Sequence, residues 1–145
     1  MGLDQYAYVA TRAGERDEFY EGATWDNGDF VNPKKAKPRE LAYWRKHPNL
    51  QGWMEQLWDR KGRPGDPGDT GFGSGFNGIE LELTWDDLDQ LEKDIQNGSV
   101  AKLHTTGFFF GNPSDNLYRE QDLEFVQKAK AELFSGLKVF YNSSW

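Results

Sequence analysis

The sequence contains no cysteine among its 145 residues. Disulfide bonds, thiolate zinc sites and cysteine nucleophiles are therefore excluded. No apolar run approaches the roughly 20 residues that a transmembrane helix needs. The first residues show neither a basic leader nor a hydrophobic signal core. These absences predict a cytoplasmic protein without membrane association.

Histidine is also scarce, and the sequence has only His47 and His104. Neither lies at helical metal-site spacing from a second ligand, since Tyr43 precedes His47 and Gln51 follows it. The glycine pattern Gly73-Ser-Gly75-Phe-Asn-Gly78 follows a loop and opens a predicted strand, whereas a dinucleotide loop follows a strand and opens a helix. We therefore predict no metal site and no cofactor.

Aromatic residues are abundant, with ten Phe, six Trp and six Tyr. Each buries a large area, so a compact core is feasible despite a low mean hydropathy. A chain of 145 residues fits one core. We expect residues 1–145 to form a single globular domain.

Charge is distributed unevenly along a chain whose net charge is −7. The segment from Lys34 to Arg63, here called the basic band, holds nine basic and three acidic residues. A positive band on an acidic protein can steer an anionic partner. The alternative is that the band pairs with acidic residues of the same chain, because solvated charge runs seldom mean binding.

Four strands are predicted from apolar alternation and β-forming residues, at 3–10, 79–83, 103–110 and 137–141. The stretch from Arg12 to Lys37 lacks periodicity and is predicted to be a long loop. Within it, Asn27-Gly28 is a strong hairpin dipeptide and favours a short hairpin from Trp25 to Phe30.

Helical spacing of apolar residues extends from Glu40 to Asp59 and predicts a helix that is kinked or divided at Pro48. Thr84 is a good N-cap for a second helix that ends at Asn97-Gly98. A third helix is predicted over about 118–135. The fold class is therefore α+β, with a small mixed sheet of about four strands packed against three main helices, the first of them kinked at Pro48.

Candidate site residues concentrate at the proline break. Tyr43, Arg45, Lys46 and His47 are candidate ligand-binding residues in the basic band, and Arg45 and Lys46 could hold an anion. His47 and Asp4 are weak candidates for acid–base catalysis. The alternatives are a structural histidine and an Asp4 that bonds a backbone amide or pairs with Arg45 or Lys46.

Five motifs in this order are distinctive: Met1-Gly-Leu-Asp-x-Tyr6, Tyr43-Trp-Arg-Lys-His-Pro-Asn-Leu-x-Gly-Trp-Met54, Thr106-Gly-Phe-Phe-Phe-Gly111, Asp122-Leu-Glu-Phe125 and Tyr141-x-Ser-x-Trp145. Over nearly its whole length the chain resembles a family of small uncharacterised proteins found in phages and bacteria. Some members carry a phosphoglycerate kinase label, but this chain is too short for two domains closing over a nucleotide. The resemblance implies one intact domain and a phage origin, and it implies no reaction.

Three functional hypotheses follow. The first is a small binding protein that engages a host or phage macromolecule, favoured by the basic band, the aromatic surplus and the lack of a convincing catalytic set. The second is an enzyme acting on an anionic small molecule. The third is a nucleic-acid-binding protein that uses the basic band and exposed rings. The edge strands of a small sheet also leave a homodimer open.

Overall fold

The computed structural model describes residues 3–35, 38–64, 76, 78–100 and 118–144. The elements within these ranges are, in chain order, β1 (Asp4–Ala10), α1 (Glu15–Glu21), β2 (Thr24–Asp26), β3 (Asp29–Val31), β4 (Arg39–Arg45), α2 (Pro48–Arg60), β5 (Leu81–Leu83), α3 (Trp85–Gln96), α4 (Arg119–Phe134) and β6 (Lys138–Ser144).

The main sheet has the strand order β4-β1-β6-β5, and β2 with β3 forms a separate two-stranded sheet. All three pairings in the main sheet are antiparallel. The register between β1 and β4 shifts at Ala7/Tyr8, which leaves Leu41 as the extra residue of a bulge. The α+β class is confirmed, whereas the predicted mixed sheet is antiparallel in the described residues.

One face of the sheet carries the core. Ala7 and Val9 of β1 point to this face together with Trp44, Val139 and Tyr141, as the two-residue period of strands requires. The helices α2, α3 and α4 cover the same face with buried apolar residues, which include Leu50, Trp53, Met54, Leu57, Leu88, Leu91, Ile95, Phe125, Val126 and Ala129.

The opposite, outer face carries Asp4, Tyr6 and Tyr8 of β1, because successive side chains of a strand alternate between faces. Tyr8 is buried there by stacking on Phe140, with ring centroids 5.8 Å apart. Helix α1 lies over this face, since the Gly14 amide that precedes it donates to Glu80 Oε1 at 2.9 Å. The sheet is therefore covered by three helices on one side and partly by α1 on the other.

The region before Pro48 corrects the prediction of a kinked helix. Residues Arg39–Arg45 form strand β4, and α2 begins at Pro48. Proline disfavours helical backbone at the residue before it, and His47 has φ −108° and ψ 74°. The helical spacing of Leu41 and Trp44 with later residues arose because a strand and a helix pack against one core.

Some of the other predicted elements agree with the structure and others do not. Thr84 caps α3 with a reciprocal capping box with Asp87, as expected, and the Asn27-Gly28 hairpin is confirmed. The predicted loop before Lys37 also contains α1, a short helix with Phe19 as its single buried residue. The predicted strand at 103–110 and most of the glycine pattern from Gly73 to Gly78 lie outside the described residues.

In the described part of the chain β4 and β5 are the outer strands of the main sheet, and both have backbone carbonyls that accept side-chain hydrogen bonds. Gln121 Nε2 donates to the Tyr43 carbonyl at 2.7 Å, and Tyr118 Oη donates to the Arg45 carbonyl at 2.6 Å. At the other edge Lys61 Nζ donates to the Glu82 carbonyl at 2.7 Å. Helices α4 and α2 thus close both edges locally.

Candidate functional site

The predicted site residues lie in two separate places. Asp4 and Arg45 are direct partners in the β1–β4 register, and Tyr43 Oη donates to Asp4 Oδ1 at 2.7 Å on the outer face. Lys46 is exposed and has a positive φ of 57°. Asp4, Tyr43 and Arg45 therefore lie on one surface of the sheet.

His47 points the other way, into the core. Its side chain is 1% exposed, and Nε2 lies 2.7 Å from Oδ2 of Asp122, whose side chain is 3% exposed. The His47 ring also packs on Tyr118, with centroids 4.6 Å apart. Asp4 and His47 thus do not meet in one pocket.

Asp122 holds a second partner, because Trp44 Nε1 donates to its Oδ1 at 2.9 Å. Burial raises the pKa of the Asp122 carboxyl, while hydrogen bonds from His47 and Trp44 oppose that rise. A histidine–carboxylate pair can transfer a proton in catalysis. Both side chains of this pair are buried, so a substrate cannot reach them from the surface. Its geometry is that of a buried clamp between α4 and the β4–α2 junction.

Gln5 extends this buried polar network to β1 and β6. Its Oε1 accepts from the His47 amide at 2.8 Å, and its Nε2 donates to the His47 carbonyl at 3.0 Å. Gln5 Nε2 also donates to Tyr141 Oη at 2.9 Å, and Tyr141 Oη donates to Gln51 Oε1 at 2.5 Å. The network fixes the chain around Pro48 through groups that are far apart in sequence.

The Asp4–Tyr43 contact predicts a pH effect. The hydrogen bond to Asp4, with lesser help from desolvation and the Asp4 charge, raises the pKa of Tyr43 to about 12, from 10.0. A phenol with a raised folded pKa stabilises the fold fully below pH 10 and loses that contribution as pH rises through 12. We expect Asp4→Asn to lower the Tyr43 pKa towards its ordinary value, measured by NMR titration of the Tyr43 ring carbons.

The control for that titration is Asp86→Asn, which removes one exposed carboxylate from the first turn of α3. It should leave the Tyr43 pKa unchanged, because long-range surface charge is screened. An unchanged pKa in Asp4→Asn, or an equal fall in the control, would contradict the local contact.

Helix α1 and the hairpin together carry an exposed aromatic cluster. Tyr20, Trp25 and Phe30, here called the hairpin surface, are 37%, 65% and 42% exposed. Phe30 makes edge-to-face contacts with both other rings, at centroid distances of 4.9 Å to Trp25 and 5.8 Å to Tyr20. The cluster is contiguous, in contrast to the scattered single apolar residues of ordinary surfaces.

Local sequence explains why these rings meet. Asn27 and Gly28 both have positive φ, at 50° and 86°, as a two-residue type I′ turn requires. This turn pairs Trp25 directly with Phe30, so both rings lie on one face of the hairpin. All six strand residues of the hairpin are exposed. The hairpin is tied to α1 by Asn32 Nδ2, which donates to the Phe19 carbonyl at 3.1 Å.

Helix α1 and the hairpin, which carry the hairpin surface, are rich in acidic residues. These are Glu15, Asp17, Glu18 and Glu21 of α1 and Asp26 and Asp29 of the hairpin. A cation also lies here, because Arg16 Cζ is 5.2 Å from the ring centroid of Tyr20. Arg12 pairs with Glu18, and this hydrogen bond lowers the pKa of the Glu18 carboxyl to about 2. The two elements that carry the exposed rings therefore hold six acidic residues and one basic residue, Arg16.

Four of the nine basic residues in the basic band form ion pairs within the described part of the chain. Ion pairs join Lys35 to Glu18, Arg39 to Glu132, Lys61 to Asp87 and Arg63 to Asp59. These pairs favour the intramolecular interpretation of the band over a continuous positive surface. The exposed Arg45 and Lys46 remain as its basic residues nearest the predicted corner.

Sequence patterns missed Asp122 and the hairpin surface as site candidates. Asp122 carries no local signal, because its partners Trp44 and His47 are 78 and 75 residues away. The hairpin surface did have a signal, since a two-residue turn at Asn27-Gly28 already specifies the Trp25–Phe30 pair.

Two other kinds of site have no support in the described residues. No group of three His, Asp or Glu side chains there could hold a metal ion. None of the helices in the described ranges is both long and apolar enough to cross a membrane. Comparison of the chain with protein-family models, with curated proteins and with solved structures found no match.

Proposed function

We propose that this chain is a small binding protein that engages another protein through the hairpin surface. The observation that carries the proposal is the mutual contact of Tyr20, Trp25 and Phe30 on a hairpin whose strand residues are all exposed. Tyrosine and tryptophan dominate the residues that contribute most to protein–protein binding. Folding leaves this aromatic area uncovered, so a partner would bury it.

The charge around the rings favours a protein partner over a nucleic acid. The elements that carry the rings, α1 and the hairpin, hold more acidic than basic residues, and such an excess disfavours binding to a phosphate backbone. Arg45 and Lys46 are the basic residues that the nucleic-acid and anionic-ligand alternatives would use. The phage resemblance makes a host or phage protein in the cytoplasm the first partner to test.

A pair of matched double variants tests the proposal. Trp25→Ser with Phe30→Ser removes the hairpin surface, and we expect it to weaken partner binding at least about 30-fold, or about 2 kcal/mol, as for loss of an interface hot spot. The control, Trp85→Ser with Phe134→Ser, removes two other exposed rings, which are 46% and 88% exposed. The measurement is quantitative cross-linking and capture from host lysate with all three proteins.

The proposal is supported if one protein is captured by the wild type and the control but not by the hairpin variant. It fails if the control alone loses that protein, or if all three chains capture the same set. Binding to single-stranded oligonucleotides that weakens steeply with salt would favour the nucleic-acid alternative instead.

A further inference from the structure

Three tyrosine rings surround the guanidinium of Arg16 on the outer face of the sheet. The Arg16 Cζ atom lies 5.2 Å from the ring centroid of Tyr20, 5.4 Å from that of Tyr8 and 6.0 Å from that of Tyr6. Cations bind the faces of aromatic rings at such distances, and aromatic cages recognise cationic ligands in this way. We call these three rings the tyrosine cage.

The tyrosine cage holds Arg16 by its rings alone. Within the described residues the Arg16 guanidinium makes no hydrogen bond and no ion pair. Arg12 and Arg39, in contrast, pair with Glu18 and Glu132. Because its contacts are with the ring faces, the Arg16 side chain can leave the cage without breaking a hydrogen bond or ion pair within the described residues.

A carboxylate stands beside the cage. Tyr6, Tyr8, Tyr20, Pro38, Glu40 and Arg16 line a cavity of about 120 Å³. The Glu40 carboxylate, like the Arg16 guanidinium, makes no hydrogen bond or ion pair with the rest of the described chain. Its charge nevertheless acts on the cage, because it contributes to the raised pKa of Tyr6, which burial raises most.

We propose that the tyrosine cage with Glu40 is a guanidinium-binding site, occupied by Arg16 in the free protein and by an arginine of the partner protein in the complex. An incoming arginine stacks on the same rings and gains a charge-assisted hydrogen bond to Glu40 that Arg16 does not make. Arginine suits the site better than lysine, because its guanidinium is planar and bonds a carboxylate with two N–H groups.

The inference rests on the proposed function and adds the chemistry of the partner. Tyr20 belongs to both the tyrosine cage and the hairpin surface, so the two sites are continuous. A partner segment with an arginine beside apolar side chains would fill both. Arg16 then lowers the apparent affinity of the site for the partner's arginine, because the site is open only for the fraction of time that Arg16 is outside the cage.

Fluorescence anisotropy with labelled hexapeptides of alternating Gly and Arg, or Gly and Lys, tests the site. We expect Arg16→Ala to bind the arginine peptide about threefold to tenfold more tightly than the wild type does, because the internal competitor is gone. Arg119→Ala, which removes the same charge at the start of α4, should change affinity less than about twofold. The lysine peptide should gain less than the arginine peptide from Arg16→Ala.

Adding Tyr20→Ala to Arg16→Ala should abolish the gain, since it removes a wall of the cage. Equal gains in Arg16→Ala and Arg119→Ala, or equal binding of the two peptides, would overturn the inference and leave only general attraction to an acidic protein. Thermal unfolding checks that each variant is folded.

A measurement on the wild type covers the case in which Arg16→Ala does not fold. Saturation with the arginine peptide should shift the NMR ring signals of Tyr6, Tyr8 and Tyr20 and leave those of Tyr118 unchanged. Unshifted cage signals overturn the inference. If partner capture depends on Trp25 and Phe30 while the cage signals do not respond, the proposed function stands and the guanidinium site fails.

Discussion

Asp122→Ala should lower the free energy of unfolding by about 3–5 kcal/mol, because two buried ring nitrogens lose their hydrogen-bond partner and each such loss costs about 1–3 kcal/mol. The substitution leaves His47 Nε2 and Trp44 Nε1 without the oxygens that they contact at 2.7 Å and 2.9 Å. Water cannot easily replace those oxygens, because the His47 and Asp122 side chains are 1% and 3% exposed. Urea unfolding followed by circular dichroism measures the change.

Asp94→Ala is the matched control, because Asp94 also accepts from an indole. Trp53 Nε1 donates to Asp94 Oδ2 at 2.8 Å, but this contact is only partly buried. Water can replace the lost oxygen, so the expected cost is about 1 kcal/mol or less. If Asp122→Ala cost no more than Asp94→Ala, the buried clamp would not be a major source of stability.

Trp58→Ala should be as damaging, at about 3–5 kcal/mol, because it empties a large volume in the core. Trp58 is 1% exposed and stacks on Phe76, with ring centroids 5.1 Å apart. Its Nε1 also donates to the Pro64 carbonyl at 2.9 Å, which holds the chain just beyond α2. The same urea titration measures the loss.

Trp25→Ala is the control, because it makes the same tryptophan-to-alanine substitution at an exposed position. Trp25 is 65% exposed, so its removal should change the free energy of unfolding by about 0.5 kcal/mol or less. Equal losses in the two tryptophan variants would mean that Trp58 is not packed as described. A stable Trp25→Ala protein that loses its partner would separate binding from folding.

Long periodic segments made much of this fold predictable. The Thr84 cap and the apolar stripe of Leu88, Leu91 and Ile95 specify α3, and all three stripe residues are buried. The alternation in β1 also specified its two faces. These signals are local, and packing reinforces them.

The segment before Pro48 was mispredicted because periodicity was followed across a proline. Leu41 and Trp44 fit a helical spacing, but the residue before a proline is driven to extended backbone. Pro48 is favoured at the first turn of a helix, which places the helix start there. Helix α1 was missed because one buried residue, Phe19, cannot establish a period.

The candidate site was predictable only where its contacts are local. The turn chemistry of Asn27-Gly28 sets the pairing of Trp25 with Phe30, so two rings of the hairpin surface could have been placed together. The contacts of His47 with Asp122 and of Arg16 with Tyr6 and Tyr8 depend on how distant elements pack. The direction of the His47 side chain depends on the strand β4 that precedes it. Because a helix was predicted there instead, His47 was expected at the surface although it is buried.

The closed edges of the sheet bear on how the folded protein behaves at high concentration. Fibril growth requires a strand whose outward amides and carbonyls are free to template another chain. The carbonyls of Tyr43, Arg45 and Glu82 are already bonded to side chains of Gln121, Tyr118 and Lys61. These three carbonyls can accept from an added strand only after their side-chain partners are displaced, so each bond opposes edge-to-edge association at its own position.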